Sequence, residues 1–227
     1  MNYYKNIINN IPKNLLFILL LTGTLSLMAQ VKDPKAEIIL EEFKTKTQSY
    51  PAIKANFKIS IVDLKEETET SFMGEFTLKD PKYIMKMNNM EIYYDGKTLW
   101  NYLPDEEEVN INTPDQNTED QDFFENPSLF FSDYRKGFSY KLTNEEEHEG
   151  ETYAIIDLYP NDLNKPYSRI RIYINRKSLE LFSAQYFGKD GMRYQLEIND
   201  YNYSQVRDTL FQFDPSIHPN IEVIDLR

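Results

Sequence analysis

The chain has 227 residues, of which 41% are apolar and 27% charged, and it has a net charge of −12 and no cysteine. This balance predicts a folded body, and the acidic charge excludes nucleic acid as a partner, because phosphate binding needs a basic face. The absence of cysteine excludes disulfides, and it also excludes the acylated cysteine of a lipoprotein.

Residues 1–29 have the three regions of a signal peptide. Two lysines precede an apolar run over 15–21, and small or apolar residues follow as far as Ala29. The run is much shorter than the roughly 18 apolar residues that span a bilayer, so we predict export and cleavage after Ala29. The mature domain is then 30–227, with a net charge of −14, because two lysines and no acid are removed. An uncleaved N-terminal anchor is the alternative, since Leu27 stands where a small residue is usual.

The first predicted element of the mature domain is a helix over 34–49. Four apolar residues have the spacing i, i+3, i+4 and i+7, which places them on one face of a helix: Ala36, Ile39, Leu40 and Phe43. This face must be buried against another part of the domain.

After the helix the apolar residues alternate with polar ones, which is typical of half-buried β-strands. The alternation predicts strands over 53–61, 72–78, 83–87, 138–142, 154–158, 170–174, 182–186 and 192–198, with three short strands within 93–111. Asp95-Gly96 is a hairpin signal between two of the short strands. Short turns join the roughly ten or eleven strands, which predicts one antiparallel sheet curled into an unclosed barrel.

The alternation lapses between about 112 and 135. Asn126-Pro127 has the residue types of a helix N-cap and first position, and it predicts a short helix over 127–134 that carries Phe130 and Phe131. Two short helices are too few to fill a curled sheet of this size, which favours an apolar cavity. The alternative is that the aromatic and methionine side chains are ordinary core.

The sequence contains no catalytic or metal-binding motif. His148 stands in the acidic run 145–151, which we interpret as a solvated loop, and His218 has no neighbouring metal ligands in sequence. We therefore predict a binding protein without catalytic activity, metal or cofactor. A secreted hydrolase is the alternative, because a catalytic triad is a spatial arrangement that sequence alone does not exclude.

Four segments resemble the periplasmic outer-membrane lipoprotein carrier family (LolA-type). They are IKANFKISI (53–61), GEFTLKDPKYIMKM (74–87), the hairpin DGKTLWNYLP (95–104) and FQFDPSIHPNIEVIDLR (211–227). The resemblance implies a mainly β fold with α, an unclosed antiparallel β-barrel with a helical lid on its concave face. It implies a monomeric periplasmic carrier that shields the acyl chains of lipoproteins in an apolar cavity and delivers them from the inner to the outer membrane.

The partners that the resemblance implies are acylated lipoproteins, a lipoprotein-releasing ABC transporter of the inner membrane and, as an optional further partner, an outer-membrane receptor. The alternative on the same fold is a binding module or sensor for another lipid or amphiphile. In the family the residue before the corner proline is often an arginine that latches the lid, whereas Asp80 precedes Pro81 here. The latch is therefore in doubt, or it has reversed polarity.

Together, the periodicity and the resemblance predict a set of lipid-binding residues in the cavity or the lid. Ile84 enters the set because it matches a family position near the cavity rim, and Trp100 because it belongs to the family's hairpin. The full set is Phe57, Ile59, Phe72, Phe76, Leu78, Ile84, Met85, Trp100, Phe130, Phe131, Ile156, Leu158, Ile172 and Tyr186.

Overall fold

The structure, a computed structural model, describes residues 32–114 and 126–227. The described residues belong to one compact unit, Val31–Arg227. Within them, no helix combines the length and the apolar character that crossing a membrane requires. The segment 1–29 lies outside the described residues, and its assignment as a signal peptide stays a prediction.

Helix α1 (Pro34–Gln48) begins where Asp33 accepts a hydrogen bond from the backbone N–H of Lys35, with a proline in the first turn. The other carboxylate oxygen of Asp33 accepts the backbone N–H of Leu142 at 3.1 Å. The cap therefore also ties the start of the helix to the sheet. All four residues of the predicted apolar stripe are buried, which confirms the helix and its face.

Twelve strands are present in the described residues. They are β1 (Ile53–Asp63), β2 (Thr68–Lys79), β3 (Lys82–Met87), β4 (Met90–Tyr94), β5 (Leu99–Leu103), β6 (Glu108–Asn112), β7 (Phe138–His148), β8 (Glu151–Pro160), β9 (Tyr167–Asn175), β10 (Leu181–Gly188), β11 (Met192–Asn202) and β12 (Glu222–Asp225). The acidic residues up to His148, predicted to be a loop, are the exposed end of β7, where β8 pairs with them. The count exceeds the predicted ten or eleven because the C-terminal tail adds β12.

The strands form one sheet in the order β12-β6-β5-β4-β3-β2-β1-β11-β10-β9-β8-β7. Neighbouring strands are antiparallel, except that β12 runs parallel to β6. Strands β7 and β12 are the two edges and do not pair with each other, so the sheet is unclosed. This confirms the predicted fold class, a mainly β, unclosed antiparallel sheet with helical cover.

One face of the sheet, here called the inner face, is apolar. Phe57 of β1 lies opposite Ile198 of β11, and Ile156 of β8 lies opposite Ile172 of β9; all four are buried. Helix α1 and the segment after Asn126 pack over this face and share its hydrophobic cluster. Since the side chains alternate along each strand, the remaining residues form an outer face that is more polar.

The C-terminal segment packs on the outer face of the β3–β6 half. The Phe213 ring contacts Tyr93 and Tyr102, with ring centroids 5.6 and 4.9 Å apart. Asp208 accepts hydrogen bonds from the ammonium groups of Lys79 and Lys82 at 2.5 and 2.8 Å. These contacts hold the tail beside the corner between β2 and β3.

Candidate functional site

The residues 126–137, here called the lid segment, lie over the inner face. They begin with a 3₁₀ helix, Pro127–Phe131, whose N-cap Asn126 accepts the backbone N–H of Ser128 at 3.0 Å. The helix ends at Phe131, and Ser132 has extended backbone angles. The predicted start is therefore confirmed, but the predicted helix over 127–134 was too long, because Ser132 ends it three residues early.

The aromatic residues of the lid segment fill the space between α1 and the sheet. The ring of Phe131 lies 6.4 Å from that of Phe43 on α1 and 5.5 Å from that of Phe76 on β2. Tyr134 is fully buried, and its hydroxyl donates a hydrogen bond to the carbonyl of Phe130 at 2.5 Å. Burial raises the pKa of the Tyr134 phenol well above its usual range, so it stays a neutral donor.

Ion pairs join the lid segment to α1. Lys44 of α1 donates to Asp133 at 3.0 Å, and Arg135 donates to the same carboxylate at 2.7 and 3.0 Å. Arg135 also pairs with Glu41 of α1. The lid segment is thus held by aromatic packing below and by charges at its side.

A cavity of about 1250 Å³ opens between the lid segment, the end of α1, the corner between β2 and β3, and the turn between β8 and β9. Its wall includes apolar and aromatic side chains from both halves of the sheet: Ile53, Leu78, Tyr83, Tyr94, Phe138 and Tyr167. Polar groups are also present, including Asn126, Ser128, Ser132 and Asn161. The cavity wall is therefore mixed, with apolar and aromatic side chains beside a few polar groups, as is usual for sites that bind small molecules.

Most of the predicted site residues lie together in the hydrophobic cluster of the inner face, where they pack against one another. These are Phe57, Ile59, Phe76, Leu78, Met85, Phe130, Phe131, Ile156, Leu158, Ile172 and Tyr186. Of them, Leu78 and Phe131 line the cavity. Phe72 lies opposite Ile59 on the same face but is only half-buried, near the other end of β2.

Ile84 and Trp100 point to the outer face. Ile84 is buried between Tyr83 and Met85, whose side chains belong to the inner cluster, so alternation turns Ile84 away from it. Trp100 lies opposite Tyr93 on the face that carries the C-terminal segment. The structure therefore separates these two residues from the cavity and the lid segment.

Asp80 lines the cavity at the corner position where the resemblance implies an arginine latch. It forms no hydrogen bond or ion pair with any described residue. The ion pairs that hold the lid segment instead start from Lys44 and Glu41 on α1. The reversed-polarity latch suggested for Asp80 is thus not formed within the described part of the chain.

Sequence reasoning missed the tyrosines of the cavity wall, Tyr50, Tyr83, Tyr94 and Tyr167. The predicted strands include Tyr83 and Tyr94 but neither Tyr50 nor Tyr167, and nothing in the sequence distinguishes a wall residue from a core residue. Among the described residues, no group of three or more histidine, aspartate or glutamate side chains could hold a metal ion.

The sequence profile of the family described as outer membrane lipoprotein carrier protein LolA matches residues 48–214. No curated protein matches the chain. Among solved structures, an uncharacterized conserved protein from Thermus thermophilus is 10% identical, with a TM-score of 0.58 over 84% of this chain and 99% of that chain. A LolA superfamily protein from Nitrosomonas europaea is 15% identical, with a TM-score of 0.45 over 79% of this chain and 98% of that chain. The Thermus protein shares the fold.

Proposed function

Because the chain belongs to the outer membrane lipoprotein carrier protein (LolA) family, we propose that it is a periplasmic carrier of acylated lipoproteins. It takes them from the inner membrane, shields their acyl chains and delivers them to the outer membrane. The observation that carries the proposal is the lid segment, whose aromatic rings occupy an apolar interior beside an open cavity.

The energetics of acyl chains explain why such a carrier is needed. Each buried CH₂ group contributes about 0.8 kcal/mol, so a lipoprotein does not leave its membrane unless its chains enter another apolar site. The cavity of about 1250 Å³ is larger than the roughly 300–1,000 Å³ of ordinary small-molecule sites. Acyl chains that enter it would extend inward by displacing Phe130 and Phe131 from the inner face.

Displacement of the lid segment also explains how cargo is released without a nucleotide. Acyl chains and the rings of the lid segment compete for the same apolar surface, so the gain from binding cargo is offset by the loss of the Phe131 contacts with Phe43 and Phe76. The net affinity is therefore smaller than the buried area suggests, and the carrier passes cargo onward. An inner-membrane lipoprotein-releasing ABC transporter would supply the cargo, and an outer-membrane receptor would accept it.

A second candidate function is the binding of another lipid or amphiphile. The polar groups of the cavity wall favour it, because the head group of a free amphiphile would find hydrogen-bond partners such as Asn126, Ser132 and Asn161 there. The two functions differ in whether the cargo is a protein.

The test uses the exported protein with inner-membrane vesicles that contain the ABC transporter and a labelled lipoprotein. We expect ATP-dependent release of the acylated lipoprotein into a soluble 1:1 complex. Phe130→Ala/Phe131→Ala should abolish release, because the acyl chains lose contacts in the bound state. Asp80→Ala, at an exposed residue of the cavity wall outside the ion pairs of the lid segment, should reduce release much less than the double variant. Asp105→Ala, at an exposed turn outside the cavity and the lid segment, is the control and should release normally.

The outcomes separate the candidates. Release of the acylated lipoprotein supports the carrier. No release, together with displacement of an apolar dye by free fatty acid or phospholipid, contradicts the carrier and supports the second candidate. If neither occurs, both functions are wrong. Normal release by the double variant would show that the aromatic rings of the lid segment are ordinary core packing and do not contact cargo.

A further inference from the structure

Strand β2 extends past the end of its neighbour β3. The pairing between them covers Gly74 to Lys79 of β2, whereas the pairing with β1 on the other side continues to Thr68. Residues 68–73, here called the β2 ledge, therefore have a strand on one side only. No strand of the described part of the chain pairs with the ledge on the side away from β1.

The register shows which backbone groups of the ledge are open. Leu64, the residue after β1, donates its backbone N–H to the carbonyl of Gly191 beside β11 at 3.3 Å. Residues of an antiparallel strand bond to their two neighbours alternately, so even-numbered residues of β1 face β11 and odd-numbered ones face β2. Ile61 therefore bonds to Thr70, which lies opposite it on the ledge. The ledge residues whose N–H and C=O groups point away from β1 are Glu69, Ser71 and Met73.

These open groups form no hydrogen bond with any residue that the structure describes. An unpaired strand edge is a template for another strand, and natural sheets protect such edges with proline, lysine, a bulge or a covering segment. The ledge has the sequence TETSFM, without proline or lysine, and its register with β1 has no bulge. Its threonines and phenylalanine favour extended backbone. The ledge is therefore built to pair and is left unpaired.

The two outer edges of the sheet differ from the ledge. At β7, the carbonyl of Tyr140 accepts the backbone N–H of Asp33 at 3.1 Å, and the open remainder carries the glutamates at 145–147. At the other edge, β12 has only four residues. The ledge is longer than β12 and has a single charge, Glu69. Of these three edges, the ledge is the one best suited to accept a strand.

One end of the ledge is apolar on both faces. Met73 is 60% exposed on the outer face, and Phe72 is half-buried on the inner face. Met87, at the end of β3, is also half-buried, and an added strand would continue in line with β3. Such a strand would therefore meet apolar side chains above and below the place where it begins.

The other end of the ledge is acidic. The exposed acids here, none of which forms an ion pair with a described residue, are Glu66, Glu67 and Glu69. Asp63 accepts the backbone N–H of Lys65 at 2.8 Å, and the Lys65 side chain packs beside Gly191, on the far side of β1. Lys58 of β1 lies opposite Met73, at the apolar end. A basic residue of an added strand would therefore face acids at this end.

We propose that the β2 ledge binds an extended segment of a partner protein, which adds to the sheet as an antiparallel strand. The first residues of the segment are apolar and contact Phe72 and Met73, and a basic residue four positions later faces Glu69. In strand addition, main-chain hydrogen bonds supply affinity and alternate side chains supply specificity. A second copy of this acidic chain would match the backbone groups but not the acids of the ledge.

The ledge is separate from the cavity. Residues 68–73 are not part of the cavity wall, so a partner bound to the ledge leaves the cavity free for cargo. The proposal concerns a protein partner and does not depend on the identity of the cargo, so it is tested without cargo.

The probe is the hexapeptide IVTTKK with a fluorescent label at its C-terminus, which carries apolar and basic residues in the proposed order. We expect saturable 1:1 binding to the full exported protein at peptide concentrations up to about 1 mM, measured by fluorescence anisotropy. The same peptide with N-methyl groups on its first, third and fifth residues cannot donate to the ledge, and it should bind at least about tenfold more weakly. The peptide IVTTEE should also bind more weakly, because its acids face those of the ledge.

Variants of the ledge locate the site. Ser71→Pro removes an open N–H at an exposed residue and leaves the bonds to β1, so it should abolish binding, whereas Ser71→Ala keeps the N–H and should bind as wild type does. Glu66→Gln/Glu69→Gln should weaken binding by about fivefold at low salt. Glu147→Gln/Glu149→Gln, at exposed residues outside the ledge, is the matched control and should not weaken it. Urea denaturation shows whether Ser71→Pro is folded, and if it is not, the N-methylated peptide decides.

Each outcome has one meaning. Binding of the N-methylated peptide as tight as that of IVTTKK, or binding that folded Ser71→Pro leaves unchanged, would overturn the proposal. The absence of binding up to about 1 mM would also overturn it. Equal affinities of IVTTKK and IVTTEE would show that the partner segment is not basic, contrary to the proposal. A concentration-dependent dimer that Ser71→Pro abolishes, without peptide binding, would make a second copy the occupant instead.

Discussion

The ammonium of Lys44 on α1 lies 3.0 Å from the carboxylate of Asp133 in the lid segment, and their side chains are only 25% and 12% exposed. Arg135 donates to the same carboxylate and also reaches Glu41 of α1. Asp133 is therefore the point where the lid segment is fastened to the helix by charge. Such partly buried, hydrogen-bonded charges contribute more than exposed surface pairs.

Asp133→Ala should release the lid segment from α1. A hydrogen bond to a charged group contributes about 1.5–3 kcal/mol, so opening of the segment should become easier by about that amount. Hydrogen exchange of residues 126–137 measures it directly. Lys177→Ala removes the exposed pair with Glu151 and is the control, for which we expect less than about 0.5 kcal/mol and no change in residues 126–137. Unchanged exchange in Asp133→Ala would mean that aromatic packing alone holds the lid segment.

Phe131→Ala should create apolar space in the interior. The ring packs on Phe43 and Phe76, so its removal should lower the free energy of unfolding by about 3–5 kcal/mol. The variant should also bind a small apolar fluorescent dye more tightly, because the dye fits into the space that the ring leaves. Acyl chains are longer than that space, and in the variant they lose the cover that the displaced ring would give them. Phe182→Ala, whose ring packs on Tyr153 away from the lid segment, should lower stability without raising dye affinity. Equal dye affinity in wild type and Phe131→Ala would contradict the account of the interior.

The ring of Phe57 leaves no room for a side chain at position 74, which is a glycine. A Cβ at position 74 would lie 2.4 Å from the ring carbon Cζ of Phe57 and 2.5 Å from the carbonyl oxygen of Lys86. Gly74→Ala should therefore lower the free energy of unfolding by about 1–3 kcal/mol, measured by urea denaturation. Phe57→Leu in the same chain should recover part of this loss, because only the ring clash is relieved. A Gly74→Ala protein as stable as wild type would show that β2 is free to shift.

Asp208 makes stability depend on pH below about 5. Hydrogen bonds from Lys79 and Lys82 lower the pKa of its carboxyl to about 2, from about 3.9 in an unfolded chain. A lowered folded pKa stabilises the protein above the unfolded value, and this stabilisation is lost as the pH falls towards about 2. The urea midpoints of wild type and Asp208→Asn should therefore differ at pH 6 and converge between pH 4 and 2. Asp105→Asn, at an exposed turn, is the control and should follow wild type throughout.

The fold was largely predictable because local periodicity agrees with tertiary burial. The stripe of α1 from Ala36 to Phe43 is buried as a 3.6-residue period requires, and the alternation of β1 from Ile53 to Ile59 matches its burial on the inner face. In both elements one face meets the core and the other meets water. Periodicity therefore carries most of the information needed for the sheet and its cover.

The candidate site was harder to predict because the face that a residue occupies depends on register. Ile84 alternates with Tyr83 and Met85, so the pattern itself places it on the outer face, whereas resemblance to the family suggested the cavity rim. Trp100 belongs to a strand whose five residues are all half-buried, so the sequence does not indicate whether its side chain lies on the inner or the outer face of the sheet. The contact between Lys44 and Asp133 joins residues 89 positions apart and has no local signature.

Native mass spectrometry of the protein purified from the cell envelope tests the central claim most directly, because it reports what the interior holds in the cell. The carrier account predicts a population whose added mass equals an acylated lipoprotein, in a 1:1 complex. The Phe130→Ala/Phe131→Ala protein should lack this population. Protein that carries only free phospholipid or fatty acid, or wild-type and variant proteins that are both empty, would contradict the carrier account.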